Sequence, residues 1–303
     1  TLTATDVNGN ESSATAVVTV EDNIAAEVLT QNITVQLDEL GMTSITPEMI
    51  DNGSNDACGI ESLGLDVTDF TCENIGENTV TLTATDVNGN ESSATAVVTV
   101  EDNIAAEVLT QNITVQLDEM GMTSITPEMI DNGSNDACGI ESLVLDVTDF
   151  TCENVGENTV TLTATDVNGN ESSATAVVTV EDNIAAEVLT QNITVQLDEM
   201  GMTSITPAMI DNGSNDACGI ESLILDVTDF TCENIGANTV TLTATDVNGN
   251  ESFATAVVNV EDEIAAEVLT QNITVQLDEM GMTSITPAMI DTGSNDACGI
   301  ESL

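Results

Sequence analysis

Residues Thr161 to Asp182 read TLTATDVNGNESSATAVVTVED, and this stretch decides the fold. Val160, Leu162 and Ala164 alternate with Thr159, Thr161, Thr163 and Thr165. Apolar and polar residues in strict alternation mark a half-buried strand. Asp166-Val167-Asn168-Gly169-Asn170 follows, and Asn-Gly between two such runs is the strongest short hairpin signal. Ala174, Ala176, Val178 and Val180 then supply the inner face of a second strand. The stretch is a β-hairpin, and it is not alone. It opens unchanged at Thr1 and Thr81, and again at Thr241 with two changes, Phe253 and Asn259. The period is 80 residues, longer than the roughly 20–50 residues of solenoid repeats and long enough for a small domain with its own core.

The rest of the unit works outward from the hairpin. Ile113, Val115 and Leu117 alternate with polar residues as a first strand, and Asp118-Glu119-Met120-Gly121 turns the chain into Met122 to Thr126. Thr126-Pro127-Glu128 fits one helical turn, with Thr as N-cap and Pro at the first position. A polar loop, Asp131 to Asp136, leads to a strand through Ile140 to Val147 and a short one around Phe150 and Cys152. About seven short strands per unit predict an all-β chain of tandem immunoglobulin-like sandwiches, arranged as beads on a string. The expected divisions are 1–22, the C-terminal part of a repeat; 23–102, 103–182 and 183–262, full repeats; and 263–303, the N-terminal part of another. The ends read as cuts through a longer array.

Lys, Arg and His are absent, against 54 Asp plus Glu, for a formal net charge of −54. Binding to nucleic acid phosphates needs Lys or Arg, so that partner is excluded. Anionic membrane surfaces are disfavoured for the same reason, and no stretch is long and apolar enough to span a bilayer. Such a charge opposes compaction by self-repulsion, and divalent cations are the natural compensation. Disorder is rejected because 41% of residues are hydrophobic and fall in ordered patterns. Catalysis has little to work with. No Ser-His-Asp or Cys-His pair can be assembled, and the aromatic platforms of sugar-cleaving clefts are missing.

Cysteine recurs in pairs 14 residues apart: Cys58 and Cys72, Cys138 and Cys152, Cys218 and Cys232, with Cys298 left over near the end. Two Cys per small domain without His or a Cys-x-x-Cys motif read as one disulfide per repeat, hence an oxidising, extracellular setting. Free thiols are the alternative.

The frame carried by Asp131 to Ile140, Phe150 to Asn170 and Ala176 to Asp182 resembles the hyalin-repeat (HYR-like) and Ig-like repeats of giant surface adhesins from Bacteroidota. The resemblance covers essentially the whole chain. It implies secretion, attachment at a cell surface, and adhesion or gliding, without naming a ligand. The Pro usual after the interdomain linker is replaced by Ala105-Ala106.

Three oxygen-rich segments are expected to meet at one pole of each sandwich: the hairpin turn, the polar loop and the incoming linker. They suit a hard cation such as Ca²⁺, which takes 6–8 oxygens. The candidate metal ligands are Glu21, Asp22, Asp51, Asp56, Asp86, Asn88 and Asn90 at one joint; Glu101, Asp102, Asp131, Asp136, Asp166, Asn168 and Asn170 at the next; and Glu181, Asp182, Asp211, Asp216, Asp246, Asn248 and Asn250 at the third. Ordinary turn chemistry accounts for each motif taken singly. The function expected is an extracellular stalk of an adhesin, stiffened by calcium. A self-assembling filament of like chains is the alternative.

Overall fold

The computed structural model describes residues 1–303, and the hairpin read from the sequence is its longest recurring element. The chain forms two compact units. One is Thr1–Gln111 with Ile130–Asp146 and Thr161–Ala176; the other is Asn112–Met129 with Val147–Val160 and Val177–Leu303. Repeat 23–102 lies wholly in the first unit and repeat 183–262 wholly in the second.

In the first unit a short hairpin, β1 (Leu2–Thr5) and β2 (Glu11–Ala14), precedes the full repeat. The repeat runs β3 (Ile33–Gln36), β4 (Met42–Ser44), α1 (Pro47–Ile50), β5 (Ile60–Leu65), β6 (Asp69–Thr71), a 3₁₀ turn at Cys72–Asn74, β7 (Gly76–Asp86) and β8 (Glu91–Glu101). The 11-residue strands β7 and β8 pair antiparallel from Gly76↔Val100 to Thr85↔Glu91. β5 adds to the free edge of β7, with a register shift between Ile60 and Ser62. β3 adds to the other edge, parallel to β8, with Ile33 opposite Val98. The sheet order is therefore β3-β8-β7-β5, and a second sheet pairs β4 with β6.

The period-two pattern becomes the core. Val80, Leu82 and Ala84 of β7 and Ala96, Val98 and Val100 of β8 point inward. They meet Val35, Leu37, Ile45, Ile50 and Phe70 from the facing elements. The intervening threonines stay at the surface or half-buried, as alternation demands. Six named strands form per repeat. The remaining pairing is reduced to single bridges, Glu27↔Asn55 and Thr30↔Asp51. Side chains extend the edge before β3 begins: the Thr30 hydroxyl donates to the Thr95 carbonyl (2.8 Å), and the Asn32 side-chain oxygen accepts from the Val97 amide (2.8 Å). These bonds satisfy backbone groups of β8 that no strand reaches.

The helical turn forms as expected, with Pro47 at its start. Its N-cap, Thr46, makes no side-chain capping bond. Instead the Thr46 hydroxyl serves the Glu48 carboxylate and lowers that group's pKa.

The middle repeat carries β9 (Ile113–Gln116), β10 (Met122–Ser124), α2 (Pro127–Ile130), β11 (Ile140–Leu145), β12 (Asp149–Thr151), β13 (Gly156–Asp166) and β14 (Glu171–Glu181). In the second unit, β15 (Ile193–Gln196), β16 (Met202–Ser204), α3 (Pro207–Ile210), β17 (Ile220–Leu225), β18 (Asp229–Thr231), β19 (Gly236–Asp246) and β20 (Glu251–Glu261) repeat the first domain element for element. Phe230 and Ile210 occupy the centre of that core.

Residues 16–21 have the sequence of the second half of β8 and form no strand. Residues 273–276 read ITVQ, as β3 does, and form none either; only α4 (Pro287–Ile290) and the bridges Glu267↔Asn295 and Thr270↔Asp291 remain there.

With a single aromatic per core, Phe70 or Phe230 has no substitute. Phe230→Ala is expected to cost about 3–5 kcal/mol in the stability of its repeat, read as a lowered denaturant midpoint.

Candidate functional site

The same construction stands wherever one repeat meets the next. At the joint around Asp102, the hairpin turn is organised by Asp166, a fully buried carboxylate. One Asp166 oxygen accepts from the amides of Asn168 (2.8 Å) and Asn170 (2.9 Å), and the other from the Asn170 side chain (2.8 Å). The Asn170 side chain also donates to the Asp102 carbonyl (3.1 Å), which ties the turn to the incoming linker. Asp102 in turn accepts from the Ile104 amide (3.0 Å), and Asp136 accepts from the amides of Cys138 (2.8 Å) and Gly139 (3.0 Å). These bonds bring carboxylate oxygens of Asp102 and Asp136 and the Cys138 sulfur within 4.8 Å of one another. Asp22 with Asp56, Asp182 with Asp216, and Asp262 with Asp296 make the same pair at the other joints.

The candidate residues of the sequence thus take different places. Asp22, Asp56, Asp102, Asp136, Asp182 and Asp216 converge. Asp86, Asp166 and Asp246 lie beneath them as turn anchors, through Asn90, Asn170 and Asn250. Asn88, Asn168 and Asn248 sit in the same turns, and the side-chain oxygens of Asn168 and Asn248 are buried without a hydrogen-bond partner. Asp51, Asp131 and Asp211 stand apart. Asp131, for example, spends both oxygens on the amides of Ser134 (2.9 Å) and Gly133 (3.3 Å) in its own loop. Glu101 and Glu181 accept from Gln36 and Gln116 beside the parallel strand pair, whereas Glu21 borders the cleft of the first joint.

Beside the acidic pair opens a cleft of about 400 Å³, lined by Glu39, Ile104, Ala105, Glu107, Asn135, Asp136 and Ala137. Glu39 belongs to the preceding repeat and the others to the following one. Glu39, Glu107 and Asn135 are absent from the ligand set read from the sequence. The signal for Glu39 was the Asp-Glu turn after the first strand, whose contact with the next repeat no period reveals, whereas Glu107 and Asn135 face each other in a single bridge within the following repeat. Similar clefts occur with Glu119 and Glu199 in the place of Glu39.

The disulfides correct the sequence expectation. Pairing within a unit, Cys58 with Cys72, Cys138 with Cys152 and Cys218 with Cys232, does not form. The bonds are Cys72–Cys138, Cys152–Cys218 and Cys232–Cys298, each across 66 residues, with Cα separations of 5.3, 5.2 and 5.2 Å. Cys298 is therefore paired, and Cys58 is the exposed free thiol. The reason is geometric. Cys58 lies beside Asp22, where its repeat begins, and Cys72 lies beside Gly41, against the following repeat. The six-residue strand β5 between them spans roughly 20 Å, far beyond what a disulfide bridges. The Cys58 thiol pKa is pushed up, first by its hydrogen bond to Asp22 and that carboxylate's charge, then by desolvation and by Asp56 and Asp86.

Gly41, Gly121 and Gly201 make these bonds possible. Each has φ near +71°, and its missing Cβ leaves room for the sulfur of the neighbouring cysteine. A Cβ on Gly121 would lie 2.5 Å from the Cys152 sulfur and 3.2 Å from the Ala217 Cβ.

No family model matches the chain. Hyalin of Strongylocentrotus purpuratus is 27% identical over 298 residues, covering 93% of this chain and 25% of hyalin. The chain thus spans about a quarter of that relative's length. Among solved structures, the protocadherin gammaB7 EC3-6 cis-dimer covers 82% of this chain and 76% of its own, at 18% identity and a TM-score of 0.30. Sidekick-1 immunoglobulin domains 1–5 cover 86% and 66%, at 11% identity and a TM-score of 0.34. No helix is long and apolar enough to cross a membrane.

Two outcomes test the joint. Gly121→Ala should prevent the Cys152–Cys218 bond, raising the free thiols from one (Cys58) to three in a dithionitrobenzoate assay. The turn carboxylates set an acid limit. Asn90, through its side chain and amide, holds Asp86 below its ordinary value of 3.8; at Asp246, burial works upward but the Asn250 side chain and the turn amides outweigh it. A carboxyl depressed in the folded state stabilises it fully above the ordinary value, and that contribution fades as pH falls through the lower folded value. The melting temperature should therefore drop below pH 3.8, and less steeply in Asp86→Asn, Asp166→Asn, Asp246→Asn.

Proposed function

We propose that the chain is part of an extracellular stalk of a large surface adhesin, in which repeated domains project a binding region and Ca²⁺ at each joint stiffens the array. The observation that carries the reading is the recurrence of one joint, with an acidic pair and a cleft at each of four joints and a disulfide at three of them. The likeness to hyalin along most of the chain agrees with the hyalin-repeat resemblance of the sequence. Secretion accords with the disulfides, since such bonds persist in oxidising compartments. The role is structural or adhesive, not catalytic: without His, Lys, Arg or clustered aromatics, the clefts offer carboxylates and an asparagine amide.

Calcium fits the donors present. Asp102 and Asp136 supply carboxylates, and the turn beneath holds the Asn168 side-chain oxygen, buried and accepting nothing. A bound cation would neutralise carboxylates that otherwise repel across the joint. Affinity should be that of extracellular modules, on the order of 10⁻⁴–10⁻³ M.

A second reading, a filament of like chains, rests on repeat 183–262. There Phe253 and Ile224 flank Thr243 in register on the outer face and are 73% and 60% exposed. Such a pair could seat a second chain, although repulsion between acidic chains opposes lateral packing unless cations bridge them.

Calorimetric titration of the chain with Ca²⁺ should show millimolar binding and a raised melting temperature, both weakened by Asp102→Asn with Asp136→Asn. Absence of heat and of any thermal shift at millimolar Ca²⁺ would rule calcium out. Single thin strands in electron micrographs support the stalk, and multi-chain fibres the filament.

A further inference from the structure

We propose that the disulfides, and not the continuous backbone, carry tension from repeat to repeat, so that the oxidised array gains little length even when its domains unfold. The inference rests on the disulfide connectivity alone and holds for a stalk or a filament.

Follow a pull applied at the two ends. Tension entering through Thr1 reaches Cys72 and crosses to Cys138 through the first bridge. It then runs along the chain from Cys138 to Cys152, crosses to Cys218, runs to Cys232 and crosses to Cys298. The three spans closed by these bonds hang off this line as loops. They hold nearly everything that makes a domain: β7 and β8, the linker at Asp102, the acidic pairs at Asp102 and Asp182, and the clefts beside them. The line itself retains β1 to β6 before the first bridge, then β11 and β12, then β17 and β18.

The lengths differ greatly. An extended chain reaches at most about 3.3–3.6 Å per residue. The 14 residues from Cys138 to Cys152 therefore give roughly 50 Å, to which a bridge with a Cα separation of 5.2 Å adds little. A full repeat without bridges would give roughly 270 Å. Each 66-residue span withholds roughly 220 Å of contour, and three withhold roughly 660 Å.

The arrangement also assigns separate tasks to the two covalent links at each joint. The bridge bears load, while the linker and its carboxylates are spared it. A cation held by weak affinity at Asp102 and Asp136 would not have to resist the pull.

The test is single-molecule force spectroscopy on the whole chain, held at its termini, with Cys58 alkylated beforehand to prevent thiol exchange. Oxidised and phosphine-reduced protein are each stretched to complete unfolding. The expected result is a contour longer by roughly 660 Å after reduction. The double variant Cys152→Ser with Cys218→Ser should lengthen the oxidised chain by roughly 220 Å, and needs no folded repeat for that readout. A gain of only roughly 45 Å per bond would show pairing within units and overturn the proposal, as would no change on reduction.

Discussion

The parallel pairing of the first strand of a repeat with its last is the constraint on which the domain depends. Ile33–Gln36 is a strand because Val98–Glu101 returns to it across 65 residues. A parallel pair between strands 65 residues apart closes a long loop, and the free energy for that closure comes from burying Val35, Leu37 and Phe70 against Val98 and Val100.

That core is light, and it leaves little to spare for a chain of such charge. Each domain leans instead on groups at its ends. Buried Asp166 shows how. A carboxylate in an apolar setting is costly unless donors surround it. Here two backbone amides and an amide side chain do so, and the same side chain then reaches the linker of the joint. The turn is a hairpin device and a joint device at once, so a cation site and a purely structural turn call for the same residues.

Much of this was legible in the residues. The alternation of Val160, Leu162 and Ala164 with threonine announced the central strand, Asn-Gly the turn, and the period the repetition of both. The weaker elements were less so. Short strands such as Met122–Ser124 carry too few residues for a pattern, and the seventh strand dissolved into single bridges. At the joint, the linker and the Asp136 loop were placed together by topology, but Glu39 and Glu107 were not, because their meeting depends on how one repeat abuts the next. The cysteine partners were misread for the same cause. Two cysteines in each period fit a bond within a unit and a bond between units equally well. Only the distance along β5 separates the two.

The offset of the bonds has a consequence for how such an array can change its length over generations. Each of the three bonds joins cysteines 66 residues apart, in a pattern that returns each 80. Excision or duplication of one whole period, wherever its cut points fall, leaves the spacing of all remaining cysteines intact. A cut out of phase that removes one cysteine of a pair would strand its partner's thiol. Unequal recombination between near-identical repeats produces in-phase changes by default. The cross-links therefore place no limit on repeat number. A polymer spliced in this way can lengthen or shorten by single units and remain continuous from one end to the other.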